Sequence, residues 1–224
     1  VFVDEAHTTF VVDNRGELEF QKNVTGLSSN LLASKAADMK FQLIRNSDGK
    51  VLQLTETGNN WIDNSAQDQP VTFTYANLDA SGKIKFDGIH ALEPGDYTVK
   101  EIGIPGFDKY TFTTQPDEQG EYKVATKVPI ADQVSCNLTN NYALQTGSLK
   151  LTKNIEWKDL NGHVNDFPSA QKDNISFRVQ GPEQAVSRPF DRTIKYSEFT
   201  DGAYKIDGLE IGTYTITETN NVTG

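Results

Sequence analysis

The chain has 224 residues and carries 31 Asp or Glu side chains against 21 Lys or Arg, so its formal net charge is -10. This acidic balance argues against nucleic acid or an anionic membrane as a partner. No apolar run approaches the roughly 20 residues of a membrane helix, so the chain is not expected to insert into a membrane. Its one cysteine, Cys136, cannot form an internal disulfide, and an extracellular chain of this kind needs another source of stability.

Strand-like segments follow one another along the first two thirds of the chain. They alternate apolar and polar residues, are rich in Val, Ile, Phe and Tyr, and are separated in places by short turn sequences that contain Gly. They cover residues 18–22, 41–44, 71–75, 83–86, 97–101, 110–113 and 134–142. A short helix is conceivable only at residues 31–39. The pattern predicts an all-β sandwich.

The second part of the chain repeats the first. Three segments of the second part are similar in sequence to segments of the first: 205–209 to 85–89, 212–218 to 95–101, and 149–154 to 18–23. A repeat that covers both the beginning and the end of a segment predicts two homologous domains. We place the first domain at residues 15–145 and the second at residues 146–224, with residues 1–14 outside both.

Charged residues stand at corresponding positions of the two copies. Side chains of equal parity share a strand face, so Lys22 lies on the face of the two apolar residues before it, and Lys153 occupies the same place in the second copy. By the same rule Glu101 and its copy Glu218 follow core-facing residues. The sequence therefore predicts an inward-facing Lys and Glu in each domain.

An asparagine completes the set in the first domain. Asn140 shares parity with the apolar residues of the last predicted strand, whereas the competing Asn141 is expected to point outward. Burial lowers the pKa of an amine and raises that of a carboxyl, which favours the neutral forms of both. A neutral amine is a nucleophile, and a protonated carboxyl can polarise an amide and transfer protons. These residues predict a Lys22–Asn140 isopeptide bond, formed with loss of ammonia.

A single lysine of this kind would more often be an ordinary solvated strand residue. The Lys and Glu recur, however, in both copies and with the same parity, and that recurrence favours the cross-link. The three histidines, His7, His90 and His163, are scattered, so we expect no metal site, and no motif indicates a cofactor.

These motifs resemble the collagen-adhesin B-type (CnaB) domains of Gram-positive pilins and adhesins. The resemblance rests on the lysine-containing first strands, on the Gly-x-Tyr-Thr-x-x-Glu strands that end at Glu101 and Glu218, and on residues 138–142. It implies two tandem immunoglobulin-like sandwiches, each with a self-generated bond between its first and last strands. Lys22 would then be the nucleophile, Asn140 the electrophile and Glu101 the acid and base.

The second copy is shorter than the first at its end. In the first domain a long segment leads from Glu101 to Asn140, whereas only a few residues follow Glu218. The second domain is therefore expected to lack its closing strand in this chain.

The segment before the first domain has the pattern of a closing strand. Thr8, Phe10, Val12 and Asn14 share one face, with an Asn at its end. Two interpretations are open. The chain is cut from a longer tandem array, and residues 1–14 close an upstream domain. Alternatively, residues 1–14 are a donor strand that completes the second domain of another copy, where Asn14 would bond to Lys153 beside Glu218.

The resemblance implies a structural module of a surface pilus, fibre or adhesin stalk, located outside the cell on a bacterial cell wall or pilus. Its partners would be other copies of the chain or further tandem domains. The chain would cross-link itself without turnover and would not be an enzyme, since no nucleophile, base and orienting group form a catalytic set. The alternative is a ligand-binding adhesin in which the loop at residues 58–70, with Trp61, contacts a host protein or glycan.

Overall fold

The computed structural model describes residues 13–65, 69–183, 185–186 and 188–222. It confirms the all-β prediction. The chain divides into two compact units, which we call unit 1, up to Ala143, and unit 2, from Leu144. Among the described residues, no helix combines the length and the apolar character needed to cross a membrane.

Unit 1 consists mainly of strands. They are β1 (Glu17–Thr25), β2 (Lys40–Arg45), β3 (Lys50–Thr55), β4 (Gly58–Ile62), β5 (Phe73–Thr74), β6 (Lys83–Phe86), β7 (Gly95–Gly103), β8 (Tyr110–Phe112), β9 (Tyr122–Val128) and β10 (Gln133–Leu144). Helix α1 (Ser29–Ser34) begins where the Ser28 side chain accepts a hydrogen bond from the backbone N–H of Leu31. Short 3-10 turns follow at Tyr75–Asn77 and Gly88–His90.

These strands form two sheets with a common core. One sheet has the order β6-β1-β10-β8, and the other has the order β4-β3-β2-β7-β9, with β5 paired to β2. The inner faces bury Leu18 and Phe20 of the first sheet against Phe41 and Tyr97 of the second, each at most 1% exposed. Cys136 is also buried in this core. The result is a sandwich held by apolar packing.

The first and last strands of unit 1 run side by side in the same direction. Strand β1 pairs in parallel with β10 along its whole length, from Glu17 opposite Gln133 to Thr25 opposite Asn141. Gly26 follows β1 with a φ of +84°, and a Cβ atom at this position would lie 1.7 Å from the carbonyl oxygen of Tyr142. Glycine is therefore required where the end of β1 passes β10.

The structure departs from the sequence-based expectations in several places. Strands β3, β4 and β9 were not expected, and the helix lies at Ser29–Ser34 rather than at residues 31–39. The expected loop at residues 58–70 begins instead with β4, which pairs with β3 in a tight hairpin. Trp61 lies on this strand, half-buried, with its ring 5.9 Å from that of Tyr97 and the Arg45 guanidinium 4.4 Å from its centre. Trp61 is thus engaged within unit 1.

Unit 2 contains counterparts of several of these strands. It comprises β11 (Thr146–Thr152), β12 (Trp157–Lys158), β13 (Val164–Asn165), β14 (Ile175–Gly181), β15 (Phe190–Lys195), β16 (Ala203–Glu210) and β17 (Thr215–Asn220), with 3-10 turns at Ser169–Asn174 and Tyr196–Glu198. Its sheets are β11-β16, β15-β14-β17 and the hairpin β12-β13. Strands β11, β14, β16 and β17 correspond to β1, β2, β6 and β7.

The repeat extends to side-chain contacts. In unit 1 the Tyr97 hydroxyl donates to the carbonyl oxygen of Glu93 at 2.7 Å, and in unit 2 the Tyr214 hydroxyl donates to that of Glu210 at 2.8 Å. The two tyrosines occupy the same place in the Gly-x-Tyr-Thr-x-x-Glu motif. The sequence repeat therefore corresponds to a repeat of structure.

The core of unit 2 is open on one side. Within residues 144–183, 185–186 and 188–222 there is no counterpart of β9 or β10, the strands that flank β7 and β1 in unit 1. Ile216 is 44% exposed, although it pairs with Val179, which is fully buried. A core-facing side chain of β17 is thus left without a covering strand.

Candidate cross-linking site

Strand parity carries Lys22 into the core of unit 1. It follows the fully buried Leu18 and Phe20 on the inner face of β1, and it is itself only 2% exposed. In the parallel register Lys22 lies opposite Leu138, and Asn140 lies two residues further along the same face of β10. Asn140 is 1% exposed. The two side chains are therefore diagonal neighbours between adjacent strands.

Glu101 reaches them from the opposite sheet. It lies on β7, after the buried Tyr97 and Val99, and is 4% exposed. Lys22 Nζ donates to Glu101 Oε2 at 2.8 Å and to Asn140 Oδ1 at 2.7 Å, and Asn140 Nδ2 donates to Glu101 Oε1 at 2.8 Å. Each of the three side chains contacts the other two. We call Lys22, Glu101 and Asn140 the triad.

Burial controls the protonation of the triad. The side chains of Lys22 and Glu101 are completely shielded from solvent. Loss of hydration lowers the pKa of the Lys22 amine and raises the pKa of the Glu101 carboxyl, and the attraction between the two groups opposes both shifts only in part. Both shifts favour a neutral amine beside a protonated carboxyl.

Aromatic rings enclose the triad. The Phe41 ring, which sequence analysis did not assign to the site, lies 5.6 Å from Lys22 Nζ. Tyr142 follows Asn140 on the same face, donates to the carbonyl oxygen of Pro105 at 3.0 Å and packs edge-on against Phe107. Burial raises the pKa of the Tyr142 phenol to about 12. Parity alone indicates Tyr142, but Phe41 is identified only by its pairing opposite Glu101.

Asn141 lies outside the triad. It is exposed, and its Oδ1 accepts a hydrogen bond of 2.7 Å from the Thr25 hydroxyl on the surface of the sandwich. The alternation of the strand therefore separates the two adjacent asparagines.

The second Lys–Glu pair is formed but is not buried. Lys153 Nζ donates to both carboxylate oxygens of Glu218, at 2.9 and 3.0 Å. Their side chains are 28% and 34% exposed, in contrast to the inward burial expected from the sequence. Glu218 does lie on the core side, since it pairs with the buried Phe177. The described part of unit 2 has no counterparts of β9 and β10 to cover it.

Asn14 belongs to unit 1 and is not part of the triad. It is exposed, and its carbonyl oxygen accepts a hydrogen bond of 3.2 Å from the N–H of Ala131 in unit 1. The partner expected from the sequence is Lys153 in the second domain of another copy. Residues 1–12 of the expected donor strand lie outside the described residues. In the described ranges, no cluster of three or more His, Cys, Asp or Glu side chains could hold a metal ion.

An unlinked variant should show the titration of the buried pair. Asn140→Ala removes the electrophile and leaves Lys22 and Glu101 free to titrate. Above pH 4.5 the folded state retains a Glu101 proton that the unfolded state releases, so the free energy of unfolding should fall as pH rises through the folded pKa. Below pH 10.5 the unfolded state holds a Lys22 proton that the folded state has released, so stability should rise between the folded pKa and pH 10.5.

Urea unfolding at a series of pH values measures both limbs of this profile. The matched control is Asn141→Ala, which changes an exposed asparagine and keeps the electrophile. If Lys22 is bonded to Asn140 in that control, its alkaline limb should be missing, because an amide nitrogen does not titrate. If the unfolding free energy of both variants depended on pH in the same way, Asn140 would not be the electrophile.

No family model matches the chain, and no curated protein matches it. Similar solved structures include GBS52, the minor pilin of Streptococcus agalactiae, at 19% identity over 60% of this chain and 48% of that one, with a TM-score of 0.36. The Bacillus anthracis TIE protein is similar at 19% identity over 93% of this chain and 29% of that one, with a TM-score of 0.38. A candidate adhesin from Bacteroides ovatus is similar at 11% identity over 92% of this chain and 74% of that one, with a TM-score of 0.30.

The structural neighbours of the chain include a minor pilin and a candidate adhesin. The chain spans about half the length of the minor pilin and less than a third of the TIE protein.

Proposed function

We propose that the chain is a structural module of a bacterial surface fibre or adhesin stalk, in which unit 1 is closed by an autocatalytic isopeptide bond between Lys22 and Asn140. The buried triad carries this proposal. An amine, a carboxamide and a carboxyl are held in mutual contact in a site shielded from water. This is the arrangement that amide exchange requires.

The reaction begins at the neutral Lys22 amine. Its lone pair attacks Asn140 Cγ, while the Glu101 carboxyl, whose Oε1 lies 2.8 Å from Asn140 Nδ2, stands beside the leaving nitrogen. Glu101 then transfers a proton from the attacking nitrogen to Nδ2, the bond from Cγ to Nδ2 breaks, and Nδ2 leaves as ammonia. Glu101 returns to its starting state. The reaction consumes Lys22 and Asn140, so each chain reacts once and does not turn over a substrate.

The position of the bond suits a module under tension. Strand β1 begins unit 1 and β10 ends it, so force applied along the chain enters and leaves through these two neighbours. The bond joins positions 118 residues apart in sequence. Force would pass directly from β1 to β10, and the residues between them would stay folded. This clamp needs no oxidant, which suits an extracellular chain whose one cysteine has no partner within the chain.

We further propose that residues 1–14 of one copy complete unit 2 of another. In unit 1 Lys22 lies opposite Leu138 of β10, and Asn140 lies two residues after Leu138. The same offset on β11 would place Asn14 beside Lys153 and bring Phe10 opposite Leu151. Such a strand would cover the open edge of β11 and shield the exposed Lys153–Glu218 pair. Repetition of this contact would produce a head-to-tail fibre.

The donor-strand proposal predicts covalent multimers. Wild-type protein should give a ladder of bands that survives boiling in detergent, and both Asn14→Ala and Lys153→Ala should abolish it. Lys22→Ala should keep the ladder, because it affects only the bond inside unit 1. If wild type is a clean monomer, or if the ladder persists in both variants, the donor-strand proposal is wrong.

The adhesin alternative has less support from the site proposed for it. The Trp61 ring is half-buried and packs near both Tyr97 and Arg45. A host ligand would therefore have to compete with contacts that unit 1 already makes.

A further inference from the structure

A cavity of about 260 Å³ lies beside the triad in unit 1. Its lining includes the buried Glu101 and Asn140 and the exposed Gln115 and Pro116. Leu138, which is opposite Lys22 in the β1–β10 register, also lines it. The cavity thus extends from residues of the triad to residues at the surface.

A short segment forms the outer wall of this cavity. We call residues 113–117 the strap. The N–H of Thr113 donates to the carbonyl oxygen of Asn141 at 2.8 Å, and the N–H of Asn141 donates to the Thr114 hydroxyl at 2.7 Å, which fastens the strap to β10. At its other end, Asp117 lies 3.3 Å from Lys123 on β9. The strap therefore bridges the two sheets over one side of the triad.

Aromatic rings also lie near the triad. Phe41 lies on the core side, and Tyr142 packs with Phe107 and Phe112. Departure of a polar molecule between packed rings is unfavourable. The cavity, in contrast, offers polar side chains along its length, from Thr114 and Gln115 to Asp117, Glu121 and Lys123.

We propose that this cavity is the passage between the triad and solvent, and that the ammonia released from Asn140 leaves through it. The inference rests on the isopeptide bond proposed above. It adds that the site, although sealed against bulk water, admits small polar molecules when the strap moves. The strap and Leu138 then determine the size of molecule that can pass.

The probe is a small carboxylate that replaces the missing acid. Glu101→Ala removes the carboxyl and leaves a void that continues the cavity. This variant should keep its full sequence mass, and added formate should restore the loss of one ammonia, measured by intact mass over time. Pivalate, which carries the same charge on a bulky group, should restore much less. Rescue by formate and pivalate at equal rates, or no rescue by formate, would overturn the passage.

A matched pair at Leu138 tests the route itself. In the Glu101→Ala background, Leu138→Phe should fill the cavity and slow the formate rescue by about tenfold or more, and Leu138→Ala should widen it and admit the larger propionate. A purely structural role of Leu138 would not change the preference for carboxylate size. Equal rescue with Phe, Leu and Ala at this position would contradict the proposal.

A second measurement keeps the test independent of the folding of Glu101→Ala. In chains with Glu101 intact, loss of ammonia after pulse-labelled cell-free synthesis should be slower with Leu138→Phe than with Leu138→Ala, and equal rates would count against the passage. If the chain with native Glu101 and Leu138 never loses ammonia, the isopeptide proposal fails and the passage falls with it. If that chain loses ammonia but the Leu138 variants do not differ, only the passage fails.

Discussion

Intact mass under denaturing conditions is expected to be lower than the sequence mass by one ammonia for the bond in unit 1, and Glu101→Gln is expected to restore that ammonia. The reason is the geometry of the triad, in which the Glu101 carboxyl contacts both the Lys22 amine and the Asn140 amide within 2.8 Å. Glutamine keeps the size of the side chain but cannot transfer a proton in the same way. Bond formation should therefore stop although the fold remains.

Two controls isolate this result to unit 1. Glu218→Gln alters the second Lys–Glu pair and should leave the ammonia loss of unit 1 unchanged. Asn141→Ala should also keep the loss of ammonia, whereas Asn140→Ala should abolish it, because Asn140 rather than Asn141 contacts Lys22. The cross-link would be ruled out if folded wild-type protein kept its full sequence mass and the Glu218→Gln control, measured under the same conditions, did so too.

Replacement of the proposed nucleophile, Lys22, should greatly lower the stability of unit 1. Lys22→Met keeps most of the side-chain volume, avoids an unpaired buried amine and prevents the bond. By analogy with a disulfide that closes a loop of comparable length, the loss is about 4 to 5 kcal/mol. A loss of this size should lower the melting temperature of unit 1 by about 10 °C or more. Calorimetry and resistance to trypsin measure the effect.

The matched control is Lys153→Met in unit 2. Exposed ion pairs contribute at most about 1 kcal/mol, so in monomeric protein this variant should melt close to wild type. Lys22→Ala should be less stable than Lys22→Met, because truncation also leaves a cavity in the core. If Lys22→Met melts at the wild-type temperature, the cross-link does not stabilise unit 1.

The two Lys–Glu pairs show how one motif acquires two environments. Lys22 and Glu101 are covered by β10 and the rings around it, and burial shifts the pKa of each toward its neutral form. Lys153 and Glu218 form a similar contact, but about a third of each side chain is exposed. A strand that covered the second pair would supply the desolvation as well as the electrophile. In unit 2, the amine of Lys153 would then become reactive only when such a strand docks.

Features that depend on local periodicity could be predicted from the sequence alone. Alternation along a strand has a period of two, so parity alone placed Lys22 and Asn140 on buried faces and Asn141 on the surface. The repeat likewise predicted that Lys153 and Glu218 occupy equivalent positions, and the structure brings them into contact. The all-β class followed from the same alternation.

Which strand faces meet, and which are covered, depends on how distant strands pack together. Glu101 reaches Lys22 from the opposite sheet, and Phe41 enters the site because β2 pairs with β7. Strand order is a non-local property, so parity could not predict that Ile216 and Glu218, although core-facing, would remain exposed. A cavity lined by the strap and β10 has no sequence signal at all, since it arises where distant segments fail to fill the space between them.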